Sequence, residues 1–179
     1  MLKKMAIGTA AILLFFVVVG WLLPSEFKVV RTIRIEAPAD IIFKHVKDLK
    51  KWQNWGVWFE RDPDMQVAYA GPDSSVGMKS TWQSESQGNG EMEIVAIEEN
   101  QRFIYTLVFP DMGVGSTGEL TLRDKEGETV VIWHDYGDVG ANPLLHYVAF
   151  FMDRMIGEDL QMGLENLKVI AEAEFQQKQ

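Results

Sequence analysis

The last element of the chain, a long amphipathic helix after a series of short strands, constrains the fold most. Asn142 is a typical helix N-cap residue, and Pro143 suits the first helical position. From there to about Phe175 the apolar residues keep helical spacing. A helix of about 30 residues is roughly 45 Å long. This order predicts an α+β domain in which a curved sheet packs around one long C-terminal helix.

The segments before this helix alternate in a way that is typical of an antiparallel sheet. Residues 27–36 alternate and are rich in β-branched side chains, which predicts the first strand. Pro38 opens a first short helix, and residues 50–58 form a second helix or turn. Six further short strands, separated by Gly, Asn, Asp or Glu, are predicted at residues 65–70, 78–84, 90–98, 102–109, 118–123 and 129–136.

Residues 5–23 read MAIGTAAILLFFVVVGWLL and carry no charge. Nineteen helical residues span roughly 28 Å, close to the hydrocarbon thickness of a bilayer. Lys3 and Lys4 precede the segment, and Trp21 lies near its far end, where interfacial aromatic residues are found. We therefore predict a transmembrane anchor at residues 1–24 and a domain at residues 25–179. This makes the chain a single-pass cell (inner) membrane protein with a cytoplasmic N-terminus and a periplasmic domain.

Two alternatives to the anchor are a cleaved signal peptide and a buried core helix. The apolar region of a signal peptide is usually shorter, and Val18-Val19-Gly20 is a poor cleavage site. No polar residue marks one face of the segment, which disfavours the buried helix.

Charge and cysteine content exclude several function classes. The chain has 17 basic and 26 acidic residues, and removing Lys3 and Lys4 leaves 15 basic residues beside all 26 acidic ones, a net charge of −11. So acidic a domain is unsuited to nucleic acid, which is bound largely through Lys and Arg. There is no cysteine, so disulfides, thiolate nucleophiles and cysteine-based metal sites are excluded.

Three tryptophans, Trp52, Trp55 and Trp58, occur within seven residues. A spacing of three places the rings along one side of a helical turn. Tryptophan covers a large apolar area, so the triplet predicts either part of a packed core or the wall of a pocket.

Several spaced motifs together resemble the polyketide cyclase/dehydrase and lipid transport-like branch of the START/Bet v 1 (SRPBCC) superfamily, which has the helix-grip fold. The motifs are Ile35-Glu36-Ala37-Pro38-Ala39, Trp52-Gln53-Asn54-Trp55-Gly56-Val57-Trp58, Asp62-Pro63, Tyr69-Ala70-Gly71-Pro72, Val76-Gly77, Trp82, Gly88-Asn89-Gly90, Asn142-Pro143-Leu144, Phe151-Met152-Asp153 and Gly163-Leu164-Glu165-Asn166-Leu167. The family usually has Ser-Pro where this chain has Gly56-Val57, so we expect Trp58 to be merely packed. The resemblance implies an apolar cavity between the sheet and the long helix that holds a hydrophobic small molecule or lipid. It does not imply a reaction.

Strand alternation and helix spacing predict which residues line this cavity; the alternative is that they fill a closed core. The triplet contributes Trp52 and Trp55. The predicted strand residues are Met78, Trp82, Met92, Tyr105, Leu107, Phe109 and Trp133, and the helix residues are Met152, Met155, Ile156 and Leu160.

The polar residues give no catalytic or metal-binding pattern. The three histidines, His45, His134 and His146, have no spacing that would bring them together, and we expect no metal or cofactor. Candidate polar anchors inside the cavity are Tyr105, Asp135 and Glu158.

The favoured hypothesis is non-catalytic binding of a hydrophobic molecule. The alternatives are a cyclase, dehydratase or hydrolase that uses Asp135 or Tyr105, and a module that docks a membrane partner through residues 144–152.

Overall fold

The structure, a computed structural model, describes residues 2–125 and 127–179. The helices are α1 (Leu2–Leu22), α2 (Ala39–Val46), a 3₁₀ helix (Leu49–Asn54), α3 (Val57–Arg61) and α4 (Pro143–Gln176). The strands are β1 (Glu26–Ile35), β2 (Gln66–Ala70), β3 (Lys79–Gln83), β4 (Gly90–Glu98), β5 (Arg102–Phe109), β6 (Val114–Lys125) and β7 (Glu128–Asp138).

The seven strands form one antiparallel sheet in the order β1-β7-β6-β5-β4-β3-β2. Strands β2 to β7 follow one another as a meander, and β1 pairs with β7 over its whole length. The long helix α4 packs on the sheet and contributes Leu160, Leu164, Leu167 and Ala171 to the core. The predicted α+β helix-grip architecture is therefore confirmed.

The helix and strand boundaries differ most from the prediction at two places. The second helical segment is two elements, because Gly56 adopts an extended conformation between the 3₁₀ helix and α3. Strand β6 begins at Val114, four residues before the predicted start, since its pairing with β5 continues past the glycines to Phe109↔Val114. At the start of α4 the prediction is confirmed: the Asn142 carboxamide oxygen accepts a hydrogen bond from the backbone N–H of Leu144 at 3.0 Å.

The tryptophan triplet holds the short helices against the sheet. The Trp52 indole donates to the Val46 carbonyl at 2.7 Å, and the Trp55 indole donates to the His45 carbonyl at 3.3 Å. These carbonyls lie at the end of α2, where a helix has no internal partners for them. The two indoles therefore cap α2 while their rings pack on Trp133 of β7, with centroids 5.7 and 5.5 Å away.

Glycine lets α4 approach this cluster closely. A Cβ atom at Gly163 would lie 3.2 Å from the Trp133 ring, which is tighter than ordinary van der Waals contact. The side chain of Asn166, one turn further, donates to the Trp55 carbonyl at 3.2 Å. The 3₁₀ helix, β7 and α4 thus meet at one point.

Helix α1 is mostly exposed, unlike a buried core helix; only 6% of its most apolar stretch, within Lys3–Leu22, is buried. Its length and composition suffice to cross a membrane, and a signal sequence meets the same criterion. Its end is docked on the start of α4. The Gly20 carbonyl lies 2.8 Å from His146 Nδ1, and Tyr147 donates to the Phe16 carbonyl at 2.8 Å. Going forward along α4 from His146 to Tyr147, the bonded carbonyl moves backward along α1 from Gly20 to Phe16, so the two helices are antiparallel here.

We predict that Trp55→Ala lowers the free energy of unfolding by about 3–5 kcal/mol, the usual cost of deleting a buried large aromatic side chain. Trp55 is 1% exposed and packs on two other tryptophans. Urea unfolding at fixed pH measures the change. The matched control, Trp82→Ala, removes a partly exposed ring from β3 and should cost clearly less. Equal losses for the two variants would contradict the role given to Trp55.

Candidate functional site

A cavity of about 330 Å³ lies between the sheet and α4. This volume falls at the lower end of the range for small-molecule sites, about 300–1,000 Å³. Most of its lining is apolar, and two methionines at its edge, Met112 and Met155, are 61% and 56% exposed. The space is therefore an open-mouthed pocket and not a filled core.

The structure brings most of the predicted residues together around this cavity. The predicted residues that line it are Trp52, Trp82, Met92, Tyr105, Leu107, Phe109, Met152, Met155, Ile156 and Leu160. Strand alternation and helix spacing thus placed these side chains on the inner face. Whether they bind a ligand stays a prediction.

Three predicted residues, Trp55, Met78 and Trp133, lie outside the lining and are completely or almost completely buried. Trp133 is covered because Trp52 and Tyr105 pack over it. Trp55 is enclosed by Trp52, Trp133 and α4, so these side chains form a layer behind the wall. Met78 precedes β3, and its sulfur accepts a hydrogen bond from the backbone N–H of Ser74.

The expectation that Trp58 is merely packed was wrong. Trp58 lines the cavity, with its ring centroid 6.2 Å from that of Trp133. The extended Gly56 starts α3 in a new direction and turns Trp58 toward the open space, whereas Trp55 is turned into the core.

Sequence reasoning missed about half of the lining. The residues absent from the predicted set are Phe27, Leu49, Trp58, Phe59, Met65, Val67, Gln87, Met112, Val114, Gly115, Ser116 and Val139. Some carried a signal. Leu120 and Leu122 point inward, and the same alternation continued backward along β6 reaches Ser116 and Val114. Alternation along the predicted strand 65–70 likewise places Met65 and Val67 on one face, whereas Met112 lies between β5 and β6, where alternation gives no guidance.

One polar cluster interrupts this apolar wall, formed by Asp135, Ser116, Tyr105 and Trp133. Tyr105, Gly118 and Asp135 are direct neighbours across β5, β6 and β7. A Cβ atom at Gly118 would come within 1.9 Å of the Tyr105 ring, so only glycine lets this ring lie across β6. The Tyr105 hydroxyl then accepts a hydrogen bond from the Trp133 indole at 3.0 Å.

Asp135 is the acidic member of the cluster and is 3% exposed. Its Oδ2 accepts a hydrogen bond from the Ser116 hydroxyl at 3.1 Å. Burial raises its pKa to about 7, because a charged carboxylate is poorly solvated there, and the Ser116 hydrogen bond only partly opposes this. Burial and the nearby Asp135 charge also raise the pKa of Tyr105, so its hydroxyl stays protonated. The cluster can therefore both accept and donate hydrogen bonds near neutral pH.

The other polar candidates lie elsewhere. Glu158 is exposed on α4 and does not line the cavity, contrary to the expectation that it could anchor a ligand. His45 Nε2 lies 2.9 Å from Glu174, and burial lowers the pKa of this histidine to about 4. His146 lies between the carbonyls of Gly20 and Gly140. No group of three metal-ligating side chains occurs within residues 2–125 and 127–179.

A wider depression of about 1040 Å³ lies at the C-terminal end of α4, beside Arg34, Glu128 and Phe175. It is open to solvent, and Arg34 and Glu128 in its wall form an ion pair at 2.8 Å. Most residues that line this depression are charged or polar, so the apolar cavity between the sheet and α4 is the better candidate site.

A seven-stranded antiparallel sheet packed against a long C-terminal helix, with an apolar cavity between them, defines a Bet v 1-like fold. The family model for polyketide cyclase / dehydrase and lipid transport matches residues 26–172, and the chain belongs to this family. Members of this family typically bind hydrophobic ligands.

Solved structures with the same fold share little sequence with this chain. A protein from Thermobifida fusca has a TM-score of 0.63 at 17% identity, covering 79% of this chain and 90% of that one. The Aha1 dimer from Colwellia psychrerythraea has a TM-score of 0.57 at 17% identity, covering 81% of this chain and 96% of that one. An uncharacterised protein from Rhizobium leguminosarum has a TM-score of 0.60 at 13% identity, covering 83% of this chain and 95% of that one. No functionally curated protein matches the chain.

We predict that Asp135→Asn changes how stability depends on pH. The pKa of Asp135 is raised from 3.8 to about 7, so between these values the folded protein holds a proton that the unfolded chain releases. The contribution of Asp135 to stability should therefore fall as the pH rises toward 7 and change no further above it. Relative to the wild type, the variant should gain about 2–3 kcal/mol between about pH 5 and pH 8.5.

Urea unfolding of both proteins at pH 5 and pH 8.5 measures the difference between their free energies of unfolding. The other titrating groups are the same in both proteins, so their contributions cancel in this difference. Asp40→Asn, at an exposed position on α2, is the control and should show no such gain. A constant difference between wild type and Asp135→Asn would contradict the raised pKa.

Proposed function

We propose that this protein is a membrane-anchored, non-catalytic binder of a hydrophobic small molecule or lipid. Residues 1–24 anchor it, and residues 25–179 hold the molecule in the cavity between the sheet and α4. In this proposal the domain lies on the extracytoplasmic side of the cell membrane.

The observation that carries the proposal is the open apolar cavity. Its lining includes five methionines, Met65, Met92, Met112, Met152 and Met155. Methionine side chains are flexible and polarisable, so they adapt to apolar molecules of different shapes. The lining also contains aromatic rings, and that of Trp52 is held in place by its packing on Trp55 and Trp133 and by its indole hydrogen bond to α2. Adaptable methionines together with rigid rings suit binding of an apolar molecule.

The docking of α1 on α4 supports a position at the membrane. Tyr147 bonds to the Phe16 carbonyl, six residues before the end of α1, which corresponds to roughly 9 Å along the helix axis. If α1 spans the bilayer, the first turns of α4 lie alongside the last 9 Å or so of that span, at the extracytoplasmic side of the bilayer. Phe150 and Phe151 follow one turn later on the same side of α4 and are 56% and 45% exposed.

The cavity would then open beside the membrane, because Val148, Met152 and Met155 of the same helix line it. A lipid-like ligand is concentrated there, which raises its effective concentration at the site. The intact mass of protein isolated from membranes tests the anchor: the full chain has a mass of 20.4 kDa, and a cleaved signal peptide would leave a smaller product.

An enzyme is the second candidate, favoured by the position of both Asp135 and Tyr105 in the cavity wall. A carboxyl group with a pKa of about 7 is suited to general acid–base catalysis at neutral pH. The test is mass spectrometry of the molecule recovered from the cavity over time. Conversion by the wild type that is abolished in Asp135→Asn would favour the enzyme; an unchanged molecule favours the binder.

We predict that Val148→Trp, which fills the cavity from α4, lowers the affinity for the neutral probe N-phenyl-1-naphthylamine about tenfold or more, equivalent to about 1.4 kcal/mol. The measurement is energy transfer from protein tryptophans to the probe, with the full chain in phosphatidylcholine nanodiscs and empty nanodiscs as the blank. Trp52 and Trp58 line the cavity and are suitable donors.

The matched control is Val169→Trp, which adds the same indole at a 68% exposed position on the same helix. It should bind the probe like the wild type. Unchanged affinity in Val148→Trp would show that the probe does not enter the cavity and would count against the proposed function.

A further inference from the structure

We propose that the cavity selects apolar molecules with an uncharged or cationic, hydrogen-bond-donating head group, such as an alcohol or amine, and rejects the corresponding carboxylates. Asp135, on β7, is the residue that receives this head group. The inference rests on the proposed function, since it specifies the ligand class of the same cavity.

The charges around the cavity give the first argument. Its lining contains the Asp135 carboxyl group and, within the part of the chain that the structure describes, no Lys, Arg or His. An anionic head group entering this space would lose its hydration and find no positive partner. It would also face the carboxylate of Asp135. A buried unpaired charge is strongly unfavourable, so the cavity disfavours fatty acids and phosphate head groups.

The unused hydrogen-bonding capacity of Asp135 gives the second argument. Oδ2 is occupied by the Ser116 hydroxyl. Oδ1 accepts no hydrogen bond from the described residues, and it is not among the fully enclosed polar atoms that lack a partner. Because Asp135 lines the cavity, Oδ1 is open to a ligand. A buried acceptor without a partner is costly, and a donor on the ligand would remove that cost.

Tyr105 adds a donor beside this acceptor. Its hydroxyl oxygen accepts from the Trp133 indole, and its own hydrogen is given to no described residue. Tyr105 and Asp135 flank Gly118 across three strands, with the tyrosine ring lying over the glycine. A hydroxyl head group can donate to Asp135 and accept from Tyr105. An ammonium group donates to Asp135 and neutralises its charge, which is a stronger, charge-assisted bond.

The probes are chosen to differ at the head group. Decanol, decylamine and decanoate each have ten carbon atoms and end in a hydroxyl, an amine and a carboxylate. Each is titrated against bound N-phenyl-1-naphthylamine on the full chain in phosphatidylcholine nanodiscs at about pH 8, with free concentrations corrected by empty nanodiscs.

The wild type should bind decanol and decylamine about tenfold or more tightly than decanoate. Asp135→Asn, which removes the charge and keeps the shape, should abolish the advantage of decylamine over decanol and narrow the gap between decanoate and decanol, which desolvation of the anion keeps open. Asp40→Asn, on exposed α2, should behave like the wild type. Decylamine should also bind more tightly at pH 8 than at pH 5.5, since the carboxyl group ionises over this range, while decanol should not.

The possible failures are distinguishable. If all three probes displace the dye equally, or if Asp135→Asn keeps the preference of the wild type, the ligand class is wrong and the proposed function stands. If no probe displaces the dye and Val148→Trp binds the dye like the wild type, the proposed function itself fails, and the ligand class fails with it.

Discussion

The packing of Trp52 and Trp55 against Trp133 connects every layer of this domain. The two indoles donate hydrogen bonds to carbonyls at the end of α2, and their rings pack on Trp133 of β7 with centroid distances of 5.7 and 5.5 Å. Gly163 brings α4 against the same rings. A rigid aromatic block therefore sets the distance between the helices and the sheet at one end of the domain. The cavity lies directly beside this block, since Trp52 belongs to both.

The polar cluster shows how this block also shapes the chemistry of the cavity. Trp133 uses its indole N–H to hold the Tyr105 hydroxyl, and Gly118 leaves room for that tyrosine to lie across the sheet. Asp135 lies beside them with one hydrogen bond from protein and a pKa raised to about 7 by burial. A carboxyl group in such surroundings destabilises the fold when ionised, so structural needs do not explain its presence. Perturbed acids in cavities are more often functional, and this agrees with a ligand-anchoring role.

The contact between α1 and α4 connects the apolar N-terminal helix to the helix that lines the cavity. Gly20 lies so close to Pro143 that a Cβ atom there would come within 2.2 Å of the Pro143 carbonyl oxygen. His146 and Tyr147 then bind carbonyls near the end of α1. The helix that forms one wall of the cavity is thus the helix on which the apolar N-terminal segment is docked. In our proposal this geometry sets the cavity mouth next to the bilayer and makes exchange of an apolar ligand with the membrane direct.

The sequence by itself determined the architecture: strand alternation, the Asn142-Pro143 helix start and the motif spacing gave the antiparallel sheet and the long helix. It also gave most inward-facing strand residues, since alternation is a local property. Tertiary structure decided which large side chains line the cavity and which lie behind it. Trp55 and Trp58 are equivalent in spacing, yet the extended Gly56 buries one and exposes the other to the cavity. Only tertiary structure could show that Gly118 brings Tyr105 beside Asp135, because the three residues are far apart in sequence and meet only through strand pairing.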